Sequence, residues 1–166
     1  MNKTKKIVNI AILAALYVAL SLTLKIPLGM GNIQMDMGYI ALTVACVIYG
    51  PCGAIVGALG AAIESMCFAA YGISWGWIAM NVVIGIACGV VLPKIKDRFW
   101  ISALTIVTAV FIGAMVKTAV ECLLYGIPLL VKLPKSALAW VVDSVVMIIG
   151  LPIVKRLTER NLTDAN

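Results

Sequence analysis

Five polar side chains lie inside otherwise apolar stretches of this sequence, and four of them are ionisable. They are Glu64, Asn81, Lys117, Glu121 and Asp143. Charge is costly to bury in a membrane, so ionisable residues there are usually retained because they bind or move something. Acids, an amide and an ammonium group can together hold a polar solute through hydrogen bonds and charge. We therefore take these residues as candidate solute-binding groups.

Lys117 and Glu121 are four residues apart and would share one face of a helix. One interpretation is an ion pair that only neutralises itself. The other is one wall of a binding site, with Glu121 touching the solute and Lys117 balancing the acids. The ion pair alone leaves Glu64 and Asp143 without a second buried base. The excess of buried acids over buried bases favours a protonated acid, or a solute that is cationic or rich in N–H donors.

The sequence lacks the residues that catalysis or metal binding would need. It has no histidine, no glycine-rich phosphate-binding motif, no Gly-x-Ser-x-Gly motif and no carboxylate pair on one helix. Its five cysteines include no Cys-x-x-Cys pair, so neither a zinc nor a redox site is indicated. We predict that the chain is not an enzyme and carries no cofactor or metal. ATP-driven work would require a partner protein.

Composition indicates a protein that crosses a lipid bilayer several times. The 166 residues are 63% hydrophobic and only 12% charged, with a mean hydropathy of +1.10. Charge-free runs cover 7–24, 37–63, 65–93 and 99–116. A membrane-spanning helix needs about 20 apolar residues, so these runs predict membrane helices and exclude an ordinary soluble domain.

The net charge of +6 follows membrane topology and does not indicate a nucleic-acid partner. Nine of the thirteen basic residues lie at the two ends of the chain or in one internal loop: Lys3, Lys5, Lys6, Lys94, Lys96, Arg98, Lys155, Arg156 and Arg160. An even number of crossings places these three segments on one side, which the positive-inside rule identifies as the cytoplasm. Both termini are therefore predicted to be cytoplasmic.

Turn signals divide the chain into six transmembrane helices that form one compact all-α bundle, a single domain over residues 1–166. The predicted helices cover about 5–24, 37–49, 52–70, 74–93, 99–125 and 136–154, the last interrupted at Gly150-Leu-Pro152. Lys25, Lys132 and Lys135 fall in outer loops. The region 37–70 also fits one helix followed by a re-entrant segment.

These helix bounds place the five polar residues in one layer. At a rise of about 1.5 Å per residue, each lies about 6–12 Å below the outer end of its helix. Trp77 and Trp140 lie one helical turn from Asn81 and Asp143, which suits the walls of a pocket for a flat heterocycle. A proton path or channel would need polar groups through the whole thickness. The layer therefore predicts a binding site that opens to the outside.

Small residues recur at helical spacing on three of the predicted helices. Ala11, Ala15 and Ala19 on the first helix would let another helix of this chain or of a partner approach closely. Glycines share a face with polar residues on two further helices: Gly53, Gly57 and Gly60 with Glu64, and Gly85 and Gly89 with Trp77 and Asn81. We predict that both glycine faces point into the protein.

Three features of the sequence resemble the substrate-binding S components of energy-coupling factor (ECF) transporters. They are the alanine spacing of the first helix, the stretch MGYIALTVACVIYGPCGAIVGALG at 37–60, and GLPIVKRL at 150–157. The stretch at 37–60 is similar to the second and third helices of folate-, pantothenate- and riboflavin-type members. The resemblance covers nearly the whole chain.

The resemblance implies a high-affinity binding subunit in a prokaryotic cytoplasmic membrane, which captures a vitamin or related micronutrient from outside. It implies that Gly29–Asp36 forms a gate, in which Asn32 and Gln34 also line the pocket. It also implies that Ala11, Ala15 and Ala19 dock onto a membrane coupling subunit. Two cytoplasmic ATPases drive that subunit and use the ATP.

The first outer loop departs from folate-type members, which tend to place arginine there. This chain has Asn-Ile-Gln-Met-Asp instead, so an acid-rich pocket favours a thiamine-, pyridoxine- or queuosine-precursor-like compound. Folate, pantothenate and riboflavin are the alternatives. Two other classes of function stay open from the sequence: a stand-alone small permease or channel, and a non-transporting membrane accessory protein whose polar layer only holds helices together.

Overall fold

Helices dominate the computed structural model, which describes residues 3–27, 34–68, 73–95 and 97–163. In chain order these ranges contain α1 (Lys3–Thr23), β1 (Lys25–Pro27), β2 (Gln34–Asp36), α2 (Gly38–Tyr49), a 3-10 turn (Gly50–Cys52), α3 (Gly53–Phe68), α4 (Trp75–Ile95), α5 (Phe99–Tyr125) and α6 (Leu129–Thr163). Strands β1 and β2 pair antiparallel, with Ile26 opposite Met35. The all-helical prediction is therefore confirmed, with a short strand pair added.

The chain reverses direction at the 3-10 turn between α2 and α3. Gly50 has a φ of +64°, a conformation that glycine adopts readily because it has no Cβ. A Cβ on Gly53 would lie only 3.1 Å from Cys46 Cα, whereas seven residues of continuous helix would separate the two by about 10 Å. Helices α2 and α3 therefore form a hairpin. We call the end of the bundle with this turn the turn end, and the end with β1 and β2 the site end.

The glycine faces of α3 and α4 pack against each other near the turn end. A Cβ on Gly85 would lie 2.5 Å from the Ala54 backbone nitrogen, and a Cβ on Gly89 would lie 2.6 Å from the Gly50 carbonyl carbon. Real Cβ atoms do not approach backbone so closely, so only glycine permits this contact. The prediction that both faces point into the protein is confirmed.

The sixth helix differs from the prediction at both ends. It begins at Leu129 and runs to Thr163, without a break at Pro134 or at Pro152. The sequence predicts a helix from about 136 to 154 with an interruption at Gly150-Leu-Pro152, but membrane helices tolerate proline because neighbouring groups satisfy the freed backbone. As a consequence Lys132 and Lys135 belong to α6 and do not lie in an outer loop.

Five described segments are long and apolar enough to cross a membrane: Lys3–Thr23, Gly38–Cys67, Trp75–Ile95, Phe99–Tyr125 and Leu129–Leu157. The second of these comprises α2, the turn and α3. Large apolar side chains such as Leu104, Leu123 and Leu130 are exposed on the outside of the bundle. Such a surface suits lipid tails, which are as apolar as leucine.

Candidate functional site

Asp36 anchors strand β2 to the end of α1. Its carboxylate accepts hydrogen bonds from Ser21 Oγ at 2.6 Å and from the Gly38 backbone N–H at 2.8 Å. The Tyr17 hydroxyl lies 3.4 Å from its second oxygen. Asp36 is only 3% exposed, so these donors replace the water that the buried carboxylate has lost. We call Asp36, Ser21, Gly38 and Tyr17 the latch.

Tyr17 connects the latch to α4. Its hydroxyl also lies 3.3 Å from Asn81 Oδ1, and Asn81 Nδ2 donates to the Trp77 carbonyl at 3.0 Å. Tyr17 and Asn81 are both fully buried. A Cβ on Gly60 would overlap the Tyr17 ring, lying 2.7 Å from its Cγ, so a glycine on α3 makes the space that this tyrosine occupies. The glycine stripe thus positions the polar layer as well as the helices.

An aromatic row crosses the site end of the bundle. The Tyr17 and Tyr39 rings meet edge to face at 6.2 Å, and the Tyr39 and Trp77 rings do so at 6.1 Å. Trp77 Nε1 donates to Glu64 Oε2 at 3.3 Å. Lys117 Nζ lies 4.1 Å from the centre of the Trp77 ring, a cation–π contact. The row thus brings Glu64, Trp77 and Lys117 from three helices into one cluster.

Glu121 pairs with Lys132 of α6, at 2.5 Å between Oε2 and Nζ. Lys117 and Glu121, both of which the structure describes, make no direct ion pair with each other. Spacing on one helix allows that pair, but Lys117 contacts Trp77, and Glu121 meets a lysine that the sequence predicts in a loop. The lack of a side chain at Gly76 makes room for the Glu121 side chain, since a Cβ at Gly76 would lie 2.8 Å from Glu121 Cγ.

Asp143 and Tyr39 have buried polar atoms without a partner. Among the described residues, Asp143 Oδ2 and the Tyr39 hydroxyl are the two buried side-chain polar atoms that make no hydrogen bond. Tyr39 is fully buried and Asp143 is 2% exposed. Buried polar groups are nearly always hydrogen-bonded in folded proteins. Two buried polar atoms without hydrogen bonds beside the polar cluster therefore indicate groups that a ligand could bind.

The remaining predicted pocket residues are placed less centrally or lie outside the described ranges. Trp140 Nε1 donates to the Val107 carbonyl of α5 at 2.9 Å, and its ring meets Phe111 edge to face. These contacts join α6 to α5, and none of them involves the polar cluster. Gln34 is exposed on β2, opposite Pro27. Asn32 and the rest of 28–33 fall outside the described residues.

The alanine spacing of α1 lies on the outside of the bundle. Ala11, Ala15 and Ala19 are exposed, whereas Tyr17 and Ser21 on the other side of the helix are buried. The alanines therefore contribute little to packing among the described residues. One face of α1 belongs to the polar layer, and the opposite face is exposed.

Prediction from sequence misses several residues of the site, which are Tyr17, Ser21, Tyr39 and Lys132. It includes Asp36 in the gate but does not predict that its carboxylate is buried and bonded to α1, and the tyrosines look like membrane core. One signal is available: Tyr17 and Ser21 are polar and four apart on the first helix, opposite the alanines.

The described site has the features of a binding site and not of a catalytic or metal centre. No group of three or more His, Cys, Asp or Glu in the described ranges could hold a metal ion. Its acids are distributed over β2, α3, α5 and α6, with Lys117 and Lys132 among them. Aromatic rings and dispersed polar groups of both charges are typical of pockets for small organic solutes.

The sequence of this chain matches a family model over residues 1–159, and the family is described as the ECF-type riboflavin transporter, S component. The chain belongs to this family. S components are substrate-binding subunits of transporters, so this protein is a transport protein and not an enzyme. It is a multi-pass protein of a prokaryotic cytoplasmic membrane, and S components work with an ECF module of a membrane protein and ATPases.

Curated relatives of this S component carry the name UPF0397. A UPF0397 protein of Lactobacillus gasseri is 27% identical over 172 positions, covering 93% of this chain and 92% of that protein. One from Staphylococcus aureus is 27% identical over 135 positions, 75% of this chain and 72% of the relative. One from Exiguobacterium is 30% identical over 95 positions, covering 56% of this chain and about half, 51%, of that relative.

A solved structure has the same fold as this S component. It is the S component for biotin from an ECF-type ABC transporter, with a TM-score of 0.66 and 19% sequence identity. The likeness covers 96% of this chain and 95% of that one. At this level of identity, the comparison establishes the fold.

Proposed function

We propose that this S component captures a water-soluble vitamin or related heterocyclic micronutrient from outside the cell and delivers it through an ATP-driven coupling module. The observation that carries the proposal is the buried polar layer at the site end, to which β2 and every helix contribute. The proposed substrate contacts are Glu64, Trp77, Asn81, Lys117, Glu121 and Asp143, with Gln34 and Trp140 at the margin. Asn32 is also a proposed contact and lies outside the described residues.

The charge balance of the layer favours a donor-rich or cationic nitrogen heterocycle. Acids outnumber lysines among the described residues of the layer, which include Asp36, Glu64, Glu121 and Asp143 beside Lys117 and Lys132. The fold satisfies Asp36 with three hydrogen-bond donors within 3.4 Å, and it pairs Glu121 with Lys132. Asp143 has no such partner. A thiamine-, pyridoxine- or queuosine-precursor-like compound fits this balance, with riboflavin, biotin, folate and pantothenate as alternatives.

We further propose six membrane crossings, with both termini in the cytoplasm and the site end outside. The α2–α3 hairpin supports six, because it brings the start of α2 and the end of α3 to the same end of the bundle. Lys94 lies beside the 3-10 turn, and basic residues concentrate on the cytoplasmic side of membrane proteins. Residues 28–33 would then form part of an outer gate.

Ala11, Ala15 and Ala19 are the proposed contact with the coupling subunit, and their exposure supports it. Changing Ala15 to Phe should abolish uptake in cells that also make the coupling module, while substrate binding by the purified chain is retained. Leu104→Phe, at an exposed position on α5, is the control and should support normal uptake. Equal loss of binding and uptake in Ala15→Phe would place the alanines in the fold of the chain.

The binding proposal is tested on the purified full chain in detergent. Native mass spectrometry should find a small molecule that co-purifies with the chain, and adding that molecule should raise the melting temperature. Glu64→Ala and Asn81→Ala should lose this molecule, whereas Asp97→Asn, at an exposed residue between α4 and α5, should keep it.

Two outcomes would favour the other classes of function. Sustained flux of the solute into vesicles that contain only the purified chain would indicate a stand-alone permease. Absence of any co-purifying molecule, with no thermal response to added vitamins, would indicate an accessory protein.

A further inference from the structure

Tyr39 and Asp143 occupy corresponding positions on two adjacent helices at the site end. Tyr39 lies in the first turn of α2, and Asp143 lies in α6, which begins at Leu129. Thr43, one turn after Tyr39, donates to the carbonyl of Met147, one turn after Asp143, at 3.2 Å. Each residue carries one of the unpartnered buried polar atoms. The two atoms are therefore parts of one locus.

Within the described part of the chain, neither the Tyr39 hydroxyl nor Asp143 Oδ2 has a partner at hydrogen-bonding distance. Asp143 makes no hydrogen bond and no ion pair with another described residue. Lys117 is the cation that acts on it, but the Lys117 ammonium lies over the Trp77 ring. A carboxylate that served only the fold would be expected to have donors, since an unpaired buried charge destabilises a protein. Asp36, which is equally buried, has three.

We propose that Tyr39 and Asp143 form a subsite that binds a nitrogen-containing edge of the substrate through hydrogen bonds. A carboxylate oxygen accepts, so the substrate places an N–H donor, neutral or cationic, against Asp143. The Tyr39 hydroxyl has no acceptor at hydrogen-bonding distance among the described residues, so the substrate places a carbonyl oxygen or a ring nitrogen against it. An amide, imide or amidine edge of a heterocycle carries both groups side by side. The inference rests on the proposed substrate-binding function and specifies the chemical group of the substrate that the binding site recognises.

The neighbouring groups orient such an edge. The Tyr39 ring is held between Tyr17 and Trp77 by edge-to-face contacts on both sides, which fixes where its hydroxyl lies. Lys117 lies over the other ring of the row, with its Nζ 4.1 Å from the centre of the Trp77 ring, and it makes no ion pair with Asp143. Asp143 Oδ2 and the Tyr39 hydroxyl make no hydrogen bond with the described residues. A substrate therefore does not have to break existing hydrogen bonds at these two atoms in order to bind.

The experiment measures binding to the purified full chain by calorimetry and by melting temperature. The probes are any molecule that co-purifies and three matched pairs: thiamine with 4′-deaminothiamine, riboflavin with N3-methylriboflavin, and pyridoxamine with 4-deoxypyridoxine. In each pair the second compound has a hydrogen or a methyl group where the first one has an N–H donor, and it gains no other donor. Variants Asp143→Asn and Tyr39→Phe are compared with Asp97→Asn and Tyr125→Phe, whose parent residues are exposed.

The proposal expects that one probe binds the wild type and that Asp143→Asn and Tyr39→Phe each weaken it about 10- to 100-fold, the cost of losing a hydrogen bond to a charged or buried group. The donor-lacking partner should bind the wild type more weakly by a similar factor and should lose nothing further from Asp143→Asn. Equal affinity in the wild type and both variants would overturn the subsite and leave the proposed function standing. If no probe binds the wild type, the proposed function fails, and the subsite with it.

Discussion

Asp36 and Asp143 are equally buried but have opposite surroundings. Asp36 is 3% exposed and Asp143 is 2% exposed. The first accepts short hydrogen bonds from Ser21 and Gly38, and the second accepts none from the described residues. Burial alone therefore does not distinguish a structural acid from a binding acid. The number of hydrogen-bond donors that the protein supplies does distinguish them, because a carboxylate that already accepts several hydrogen bonds from the fold has few lone pairs left for a ligand.

The contrast extends to the regions around the two acids. The latch joins α1 to the strand pair and is complete without a ligand. The locus of Tyr39 and Asp143 joins α2 to α6 and is complete only with one. The molecule thus combines a region whose polar groups are hydrogen-bonded within the fold with a region whose polar atoms are left without partners. The first region holds the polypeptide in place, and a solute can supply the missing hydrogen bonds of the second. The following predictions test this contrast, beginning with the largest effect.

Gly38→Val should disrupt the latch most strongly. A Cβ at this position would overlap Ser21 Oγ and would lie 2.9 Å from the Tyr17 carbonyl oxygen. Because the second of these atoms is backbone, the overlap should cost about 3 kcal/mol or more. We expect little monodisperse protein on size exclusion and a much lower melting temperature. Gly126→Ala, where nothing lies within 4 Å, should have only the mild effect of a positive φ. Normal yield of Gly38→Val would contradict the packing of the latch.

Asp36→Ala should destabilise the ligand-free protein by about 2–4 kcal/mol, because the Ser21 hydroxyl and the Gly38 N–H lose a charged acceptor. Thermal unfolding in detergent measures the change, and Asp97→Ala provides a control at an exposed acid. A melting temperature equal to that of the wild type would mean that the latch does not stabilise the fold.

Tyr17→Phe should have a smaller effect, about 1 kcal/mol of stability. The ring still fills the space above Gly60, while the long contacts of the hydroxyl to Asp36 and Asn81 are lost. The same melting assay measures it, with Tyr125→Phe as the matched control. A loss as large as that of Asp36→Ala would show that the hydroxyl, and not the carboxylate, holds the latch together.

Asp143→Asn should leave the stability of the ligand-free protein within about 1 kcal/mol of the wild type, or raise it, because removing an unpaired buried charge removes its desolvation cost. The carboxylate makes no hydrogen bond that the change would break. Melting of the ligand-free variant beside Asp36→Asn gives the comparison directly. A drop as large as that of Asp36→Ala would mean that Asp143 is a structural residue.

Much of the fold and part of the site could be predicted from the sequence. Membrane helices follow from long apolar runs, and depth within a helix follows from residue counting. Counting alone therefore assigns Glu64, Asn81 and Asp143 to one layer. The direction in which a side chain points within that layer depends on helix rotation and packing, which residue spacing does not determine. Trp140 shows this, because it lies one turn from Asp143 but bonds to α5.

The errors have physical causes of the same kind. Beginning the sixth helix at about 136 puts Lys132 in a loop, and that placement hides its pairing with Glu121. Asp36 follows a polar, glycine-containing segment, and nothing local distinguishes a buried carboxylate from a solvated one. The tyrosines of the aromatic row look like core residues in an apolar helix, and their roles depend on partners far away in the sequence.

The hydroxyl of Tyr17 has a single hydrogen atom and two acceptors within reach, Asp36 Oδ2 at 3.4 Å and Asn81 Oδ1 at 3.3 Å. Only one of these bonds can exist at any moment, so one hydrogen is shared between strand β2 and helix α4. An amide oxygen has two lone pairs, so a ligand donor can bind to Asn81 Oδ1 beside the Tyr17 hydroxyl. The rotation of one O–H bond therefore decides whether Tyr17 is bonded to β2 or to α4.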